Sequence, residues 1–155
     1  MLTLIHAPLT ATDAAGREEV ALQADRMTLA KRLWRGSADD GTEFGFQLAT
    51  PLKHGDTIFE SPTARYVIRQ AEEPVVEISL DIAASASAGI GWAIGNLHLE
   101  LSAEPARLLA PDEPAVRQLL ERLKVPYRQT TAIFRPGRFS RGNATTHELG
   151  HSHTH

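Results

Sequence analysis

Histidine supplies the clearest chemistry in this sequence. Seven histidines are present, and four of them, His147, His151, His153 and His155, fall in the last nine residues. Imidazole, with an ordinary pKa of about 6.5, is largely neutral at neutral pH and offers a borderline-soft nitrogen suited to Ni²⁺, Zn²⁺ and Cu²⁺. His151, His153 and His155 alternate, so even an extended chain can turn all three toward one ion. Glu148, Leu149, Ser152 and Thr154 are interspersed, which sets the run apart from a purification remnant. The cluster reads as a transition-metal site of modest affinity, because ordering a chain end costs conformational entropy.

His147-Glu148-Leu149-Gly150-His151 also matches the zinc-peptidase pattern H-E-x-x-H. That chemistry needs both histidines on a rigid helix, a third ligand and a glutamate held over metal-bound water. Gly150 weakens a helix, and Gly142-Asn143-Ala144 reads as loop, so peptidase activity is only a remote alternative. His98 follows Gly95-Asn96-Leu97 at the expected junction of a helix and a strand and is the second candidate ligand. His6 and His54 have no companions in sequence. No phosphate-binding loop, Ser-His-Asp arrangement or general acid–base pair can be argued from spacing. The chain is expected not to be an enzyme.

There is no cysteine, which removes disulfides, zinc ribbons and thiolate catalysis. The 16 basic and 19 acidic residues give a net charge of -3, so no broad basic field exists to hold nucleic acid or an anionic membrane. Arg26, Lys31, Arg32 and Arg35 form a local basic cluster, read as the solvated face of a strand. Hydrophobic residues make up 42% of the chain, enough for a real core. The N-terminus lacks the charged and apolar segments of a secretory signal. Ile82–Leu99 is uncharged, yet its serines, asparagine, histidine and glycines do not make a membrane span. A soluble cytoplasmic protein is expected.

The positioning elements follow from periodicity. Met27, Leu29 and Leu33 against Arg26, Thr28 and Arg32 predict a strand. Ala38-Asp39-Asp40-Gly41 predicts a turn, and Phe44, Phe46 and Leu48 a paired strand. Short strands are expected near Thr57–Phe59 and Tyr66–Arg69, making residues 1–73 a small all-β domain. Beyond Ala71-Glu72-Glu73-Pro74, Val75–Leu80 predicts a strand, Ala83–Gly95 a helix and Leu97–Leu101 a strand. Arg107–Leu109 is a short apolar run. Asp112 is the expected N-cap of a helix with Pro114 in its first turn and Val116, Leu119, Leu120 and Leu123 on one face. Tyr127–Phe134 closes the series as a strand. The expected class is α+β: an all-β domain, then a ferredoxin-like βαββαβ domain over 74–136, then a flexible His-rich tail over 137–155.

Gly91-Trp92-Ala93-Ile94-Gly95-Asn96-Leu97-His98 resembles the GN-x-H segment of the urease accessory protein UreE family. Asp25-Arg26 through Arg35-Gly36 resembles that family's N-terminal strand pattern. Asp40-Gly41-Thr42-Glu43-Phe44-Gly45 and Gly55-Asp56 are similar to its hairpin and following turn, and Phe134-Arg135-Pro136-Gly137 to its F-x-P-E segment. Each motif is short; their order and the His-rich end make the resemblance specific.

The resemblance implies a nickel metallochaperone that delivers Ni(II) for assembly of the urease active site. It implies an N-terminal protein-interaction domain and a second domain that forms a homodimer. The histidine matching His98 would lie on the two-fold axis, each subunit giving one ligand to a shared metal. His147, His151, His153 and His155 would supplement that site, and Zn(II) or Cu(II) could occupy it in vitro. The implied partners are the urease apoprotein complex and the urease accessory GTPase, with no nucleic acid or membrane. Two departures stand out. The stretch Leu109-Ala110-Pro111-Asp112-Glu113 lacks the H-x-H pair of some members, and Gly137 stands where the family often has glutamate. The alternative reading is a general metal-binding adaptor or folding module with an incidental His-rich tail.

Overall fold

The computed structural model describes residues 1–10, 12, 15–141 and 145–148, the last two strands by their backbone alone. The architecture is mixed α+β, in two compact units, Met1–Ala71 and Glu72–His155.

The first unit holds β1 (Thr3–Ile5), β2 (Glu18–Ala24), α1 (Arg26–Leu29), β3 (Leu33–Ser37), β4 (Glu43–Gln47), β5 (Thr57–Glu60) and β6 (Ala64–Gln70). They form two three-stranded sheets, ordered β1-β4-β3 and β2-β6-β5. β1 runs parallel to β4 and β2 parallel to β6, while β3 and β5 pair antiparallel. Phe44 and Phe46, two residues apart on β4, point to one face and are buried with Leu22, Ile58 and Ile68 in a single core. Trp34 stacks on Phe46 at 4.1 Å between ring centroids, and Phe44 meets Tyr66 edge-on at 5.2 Å.

The expected hairpin and its turn are present, but the strand expected over 26–33 is not. Arg26–Leu29 is a one-turn helix, because the Asp25 carboxylate accepts the Thr28 N–H at 2.7 Å and caps it. Only Leu33 onward is strand, so this unit is not purely β and the basic cluster is split between a helix, a turn and a strand. Met27 and Leu33, grouped with Leu29 on one face by periodicity, are 69% and 75% exposed, while Leu29 is buried.

The second unit holds β7 (Glu73–Ser79), α2 (Ala84–Asn96), β8 (Ser102–Ala103), β9 (Arg107–Pro111), α3 (Pro114–Arg122), β10 (Arg128–Ala132), β11 (Arg138–Arg141) and β12 (Thr145–Glu148). Four strands form an antiparallel sheet ordered β10-β7-β9-β8. Val76 and Ile78 of β7 and Leu108 and Ala110 of β9 pack with Ile90 and Ile94 of α2 and Val116, Leu119 and Leu120 of α3. The alternate residues Val75 and Leu109 form a second core with Ala132 and Phe134. The sheet therefore buries apolar side chains on both faces.

Four sequence expectations are corrected here. Leu97–Leu101 is not a strand; the chain turns there, and β8 covers only Ser102–Ala103. Asp112 does not cap α3. Glu113 holds the N-cap position without a side-chain hydrogen bond, with Pro114 at the helix start, while Asp112 is drawn away to Arg117 and Gln129. Leu123 is the C-cap of α3 and is 45% exposed rather than on the buried face. The tail expected to lack structure from residue 137 instead carries the antiparallel pair β11–β12, with Arg138 opposite Glu148 and Arg141 opposite Thr145.

Candidate metal centre

Helix α2 is built from small residues, ASASAGIGWAIGN, and has no ionisable side chain. Ile90 and Ile94 are its buried anchors. Its outer face is left to Ser85, Ala88, Gly89, Trp92, Gly95 and Asn96, all exposed, with Trp92 at 70%. Leu97 beyond it is 44% exposed. An uncharged surface carrying an open tryptophan and leucine is depleted in what usually keeps a helix face in water.

The helix ends in a Schellman motif. The His98 N–H donates to the Gly95 carbonyl at 2.9 Å, and the Leu99 N–H to the Ile94 carbonyl at 3.2 Å. This places His98 in the left-handed region, with φ 56°. Glycine normally fills that position, because a side chain there crowds the following carbonyl. Helix α3 ends in the same way. Lys124, also at φ 56°, donates its N–H to Glu121, and Val125 donates to Leu120. Leu99 and Val125 both pack on the core that holds Ile94 and Leu120, which pins the two turns. The turn is therefore a device of this fold, and what distinguishes His98 is its surroundings.

The His98 side chain is exposed, with no hydrogen-bond partner among the described residues. It stands just past the C-terminus of α2, where unpaired carbonyls leave partial negative charge. No basic residue occupies the last turn of α2 to neutralise it, whereas α3 has Arg122 there. A cation on the imidazole would benefit from that field. Among the described residues no three His, Asp or Glu side chains come together to hold a metal. One chain's described part thus offers a single imidazole rather than a closed shell.

His147 lies on β12, opposite Phe139 in the β11–β12 register. The hairpin is tied by the backbone to the segment that follows the His98 turn: the Gly137 N–H donates to the Leu101 carbonyl at 2.8 Å, and β11 runs close to β8. Gly137 has φ 82°, so the glycine at this departure from the F-x-P-E pattern meets a backbone requirement. His151, His153 and His155 lie outside the described residues. The extended backbone at His147 and Glu148 does not start the helix that H-E-x-x-H chemistry requires. His6 and His54 are in the first unit. The His6 ring lies 3.2 Å from the Gln47 carbonyl, and His54 Nδ1 accepts the Gln70 N–H at 3.0 Å.

The model of the UreE urease accessory protein C-terminal domain matches residues 73–155. The chain belongs to the UreE family of urease accessory proteins. The family match covers both the α2–His98 turn and the β11–β12 hairpin. Along its length the chain is 26% identical to the urease accessory protein UreE of Rhodobacter capsulatus, covering 99% of each chain. It is 31% identical to that of Deinococcus radiodurans, over 83% of this chain and 82% of the relative. With that of Bifidobacterium longum subsp. infantis the identity is 29%, over 68% of this chain and 48% of the relative.

Sequence reasoning located His98 but not its backbone state. A GN-x-H segment followed by Leu99 is compatible with a Schellman turn, since an apolar residue follows the left-handed position. The exposure of Trp92 and the Gly137–Leu101 tie left no local signal.

Proposed function

We propose that the protein is a nickel-binding metallochaperone that delivers Ni(II) during assembly of the urease active site. The protein is read as a homodimer in which two His98 side chains, one from each subunit, share one ion. The observation that carries this reading is the exposed, solitary His98 beside the uncharged Trp92–Leu97 surface. A lone imidazole is a poor site, and a two-fold axis beside it doubles the ligand count while covering the exposed apolar residues. Residues 74–136, with β-α-β-β-α-β order, are read as a ferredoxin-like metal-binding and dimerisation domain. Residues 1–73 are read as a protein-interaction domain for the urease apoprotein complex and the accessory GTPase.

His147, His151, His153 and His155 supplement the shared site in this reading. The Gly137–Leu101 hydrogen bond supports it, because it starts the His147-bearing hairpin near the His98 turn. A ligand set of imidazoles does not by itself prefer nickel, since copper stands above nickel in intrinsic affinity. Nickel enters through the family and its association with urease. Selectivity then rests on metal supply and partners.

Calorimetry with Ni²⁺ tests the reading. One tight ion for every two chains is expected, and His98→Ala abolishes it. Truncation after Arg141 removes the weaker additional binding and leaves the tight ion. If His98→Ala keeps tight binding while the truncation removes all of it, the shared-histidine model is wrong.

A further inference from the structure

From Ile82 to Leu99 the chain holds no Asp, Glu, Lys or Arg, so Glu100 is the first such residue after helix α2 and the carboxylate nearest His98 in sequence. Only Leu99 separates the two. Leu99 and Leu101 are partly buried against the core that holds Ile94. His98 and Glu100, on either side of Leu99, are exposed. Two residues of chain span at most about 7 Å between Cα atoms. An imidazole and a carboxylate at that spacing, both open to solvent, are within reach of one ion.

Charge balance gives the carboxylate its part. Coordinating imidazole is neutral, so a divalent cation shared by two His98 side chains keeps both of its charges. The surface beside it is the uncharged face of α2, with Trp92 and Leu97 exposed. In the homodimer that face is covered, and an unbalanced dication against it bears a large desolvation cost. The unpaired carbonyls ending α2 offset only part of that charge, since a helix terminus is worth about half a charge. Two Glu100 carboxylates, one from each subunit, supply two full negative charges. Each has two oxygens, so one can bind the ion while the other keeps a hydrogen bond.

We propose that Glu100 is a ligand of the same centre. Two imidazole nitrogens and two carboxylate oxygens surround one divalent ion, and water or a histidine of the chain end takes any remaining position. Four nitrogen and oxygen donors suit the tetragonal geometry of Ni(II) and Cu(II). Zn(II) accepts the same donors in a tetrahedron, so the carboxylates set charge and affinity and do not exclude zinc. Along the chain Glu100 lies between His98 and Leu101, where the Gly137 N–H ties in the histidine-bearing hairpin. The proposal rests on the shared-His98 reading and adds to it an anionic ligand from the same chain.

The test uses the full chain and Ni²⁺ alone. Glu100→Gln keeps the shape of the side chain and removes its charge. Calorimetric titration is expected to keep one tight ion for every two chains, with a dissociation constant raised at least about tenfold, since even an outer partner of a metal site is worth that much. The ligand-field absorption of bound Ni²⁺ should shift with the loss of the carboxylate. Glu113→Gln is the charge control, because Glu113 is exposed and makes no side-chain capping bond. It should change neither affinity nor spectrum. Unchanged affinity or an unmoved absorption band in Glu100→Gln overturns the proposal. So does an equal loss in Glu113→Gln, which marks net charge as the cause. Thermal melts with a chelator present check folding. Where Glu100→Gln fails to fold, Glu100→Asp decides, and an unmoved band there overturns the proposal. Tight nickel binding in His98→Ala sinks the shared-histidine reading itself. Loss of the ion in His98→Ala beside full binding in Glu100→Gln leaves that reading standing and removes Glu100 from it.

Discussion

His98 closes helix α2 at φ 56°, a conformation in which a side chain costs about 1–2 kcal/mol. Glycine there would remove that strain. Its greater freedom in the unfolded chain returns about 0.5–1 kcal/mol of the gain. The net expectation for His98→Gly is a stabilisation of about 0.5–1 kcal/mol, or a rise of about 4 °C in the midpoint of a domain this size. The same substitution deletes the proposed ligand. Lys124→Gly is the control, because Lys124 holds the same position at the end of α3 with the same φ of 56°. It should stabilise to a similar extent and leave nickel binding untouched. His98→Ala keeps the strained backbone, loses the metal and gains no stability. Differential scanning calorimetry with a chelator present reads the stability term alone, since bound metal would otherwise add to it. Calorimetric titration with Ni²⁺ reads the ligand term. A lower midpoint in both glycine variants would refute the strain argument. Tight nickel binding in His98→Gly would refute the ligand assignment. The two conclusions stand or fall separately.

Other perturbations test the surrounding frame. Phe134→Ala should destabilise the protein by about 3–5 kcal/mol by chemical denaturation, since Phe134 is 0% exposed in the second core of the sheet. A loss below about 1 kcal/mol would mean that this core collapses readily or contributes little. Gly137→Ala should strain the φ 82° turn, loosen the β11–β12 hairpin and increase hydrogen exchange at the Gly137 position, while leaving the tight nickel ion in place. Glu77 is held below the ordinary carboxyl value of 4.5, first by its hydrogen bond from Arg128 and also by the charges of Arg128 and Arg107. Its lowered folded-state pKa means that the ion-pair contribution is present above pH 4.5 and is lost as pH falls below it. Arg128 is 72% exposed, so Arg128→Met should cost only about 0.2–1 kcal/mol near neutral pH. That difference should shrink in thermal melts as the solution is acidified, and a constant gap would exclude the pair as its source.

What local order dictates was legible in the sequence. Phe44 and Phe46 alternate with polar or small neighbours, and alternation about one buried face makes β4. Pro114 starts α3, and Val116, Leu119 and Leu120 recur at helical spacing, so that helix and its buried stripe could be read directly. The histidines stood out as candidate metal ligands by type alone. The reading failed where two local solutions competed. Met27, Leu29 and Leu33 fit a strand by alternation, yet Asp25 caps a helical turn there, and only Leu29 of the three is buried. Asp112 has the chemistry of a cap, but a guanidinium from Arg117 outbids the helix end for its oxygen.

Tertiary structure decided the rest. Periodicity says which side chains share a face, but not what covers that face. Val75 and Leu109 are buried because Ala132 and Phe134 meet them on the far side of the sheet, while Trp92 stays open in the described chain. His98 was visible as a residue type; its left-handed turn, its place at an unneutralised helix end and the Gly137 tie to the His147 hairpin depend on packing between segments far apart in sequence. Sequence alone thus named histidines as candidate ligands, and the fold determined how His98 is held, because the direction of a side chain is set by the backbone beneath it and by the elements packed around it.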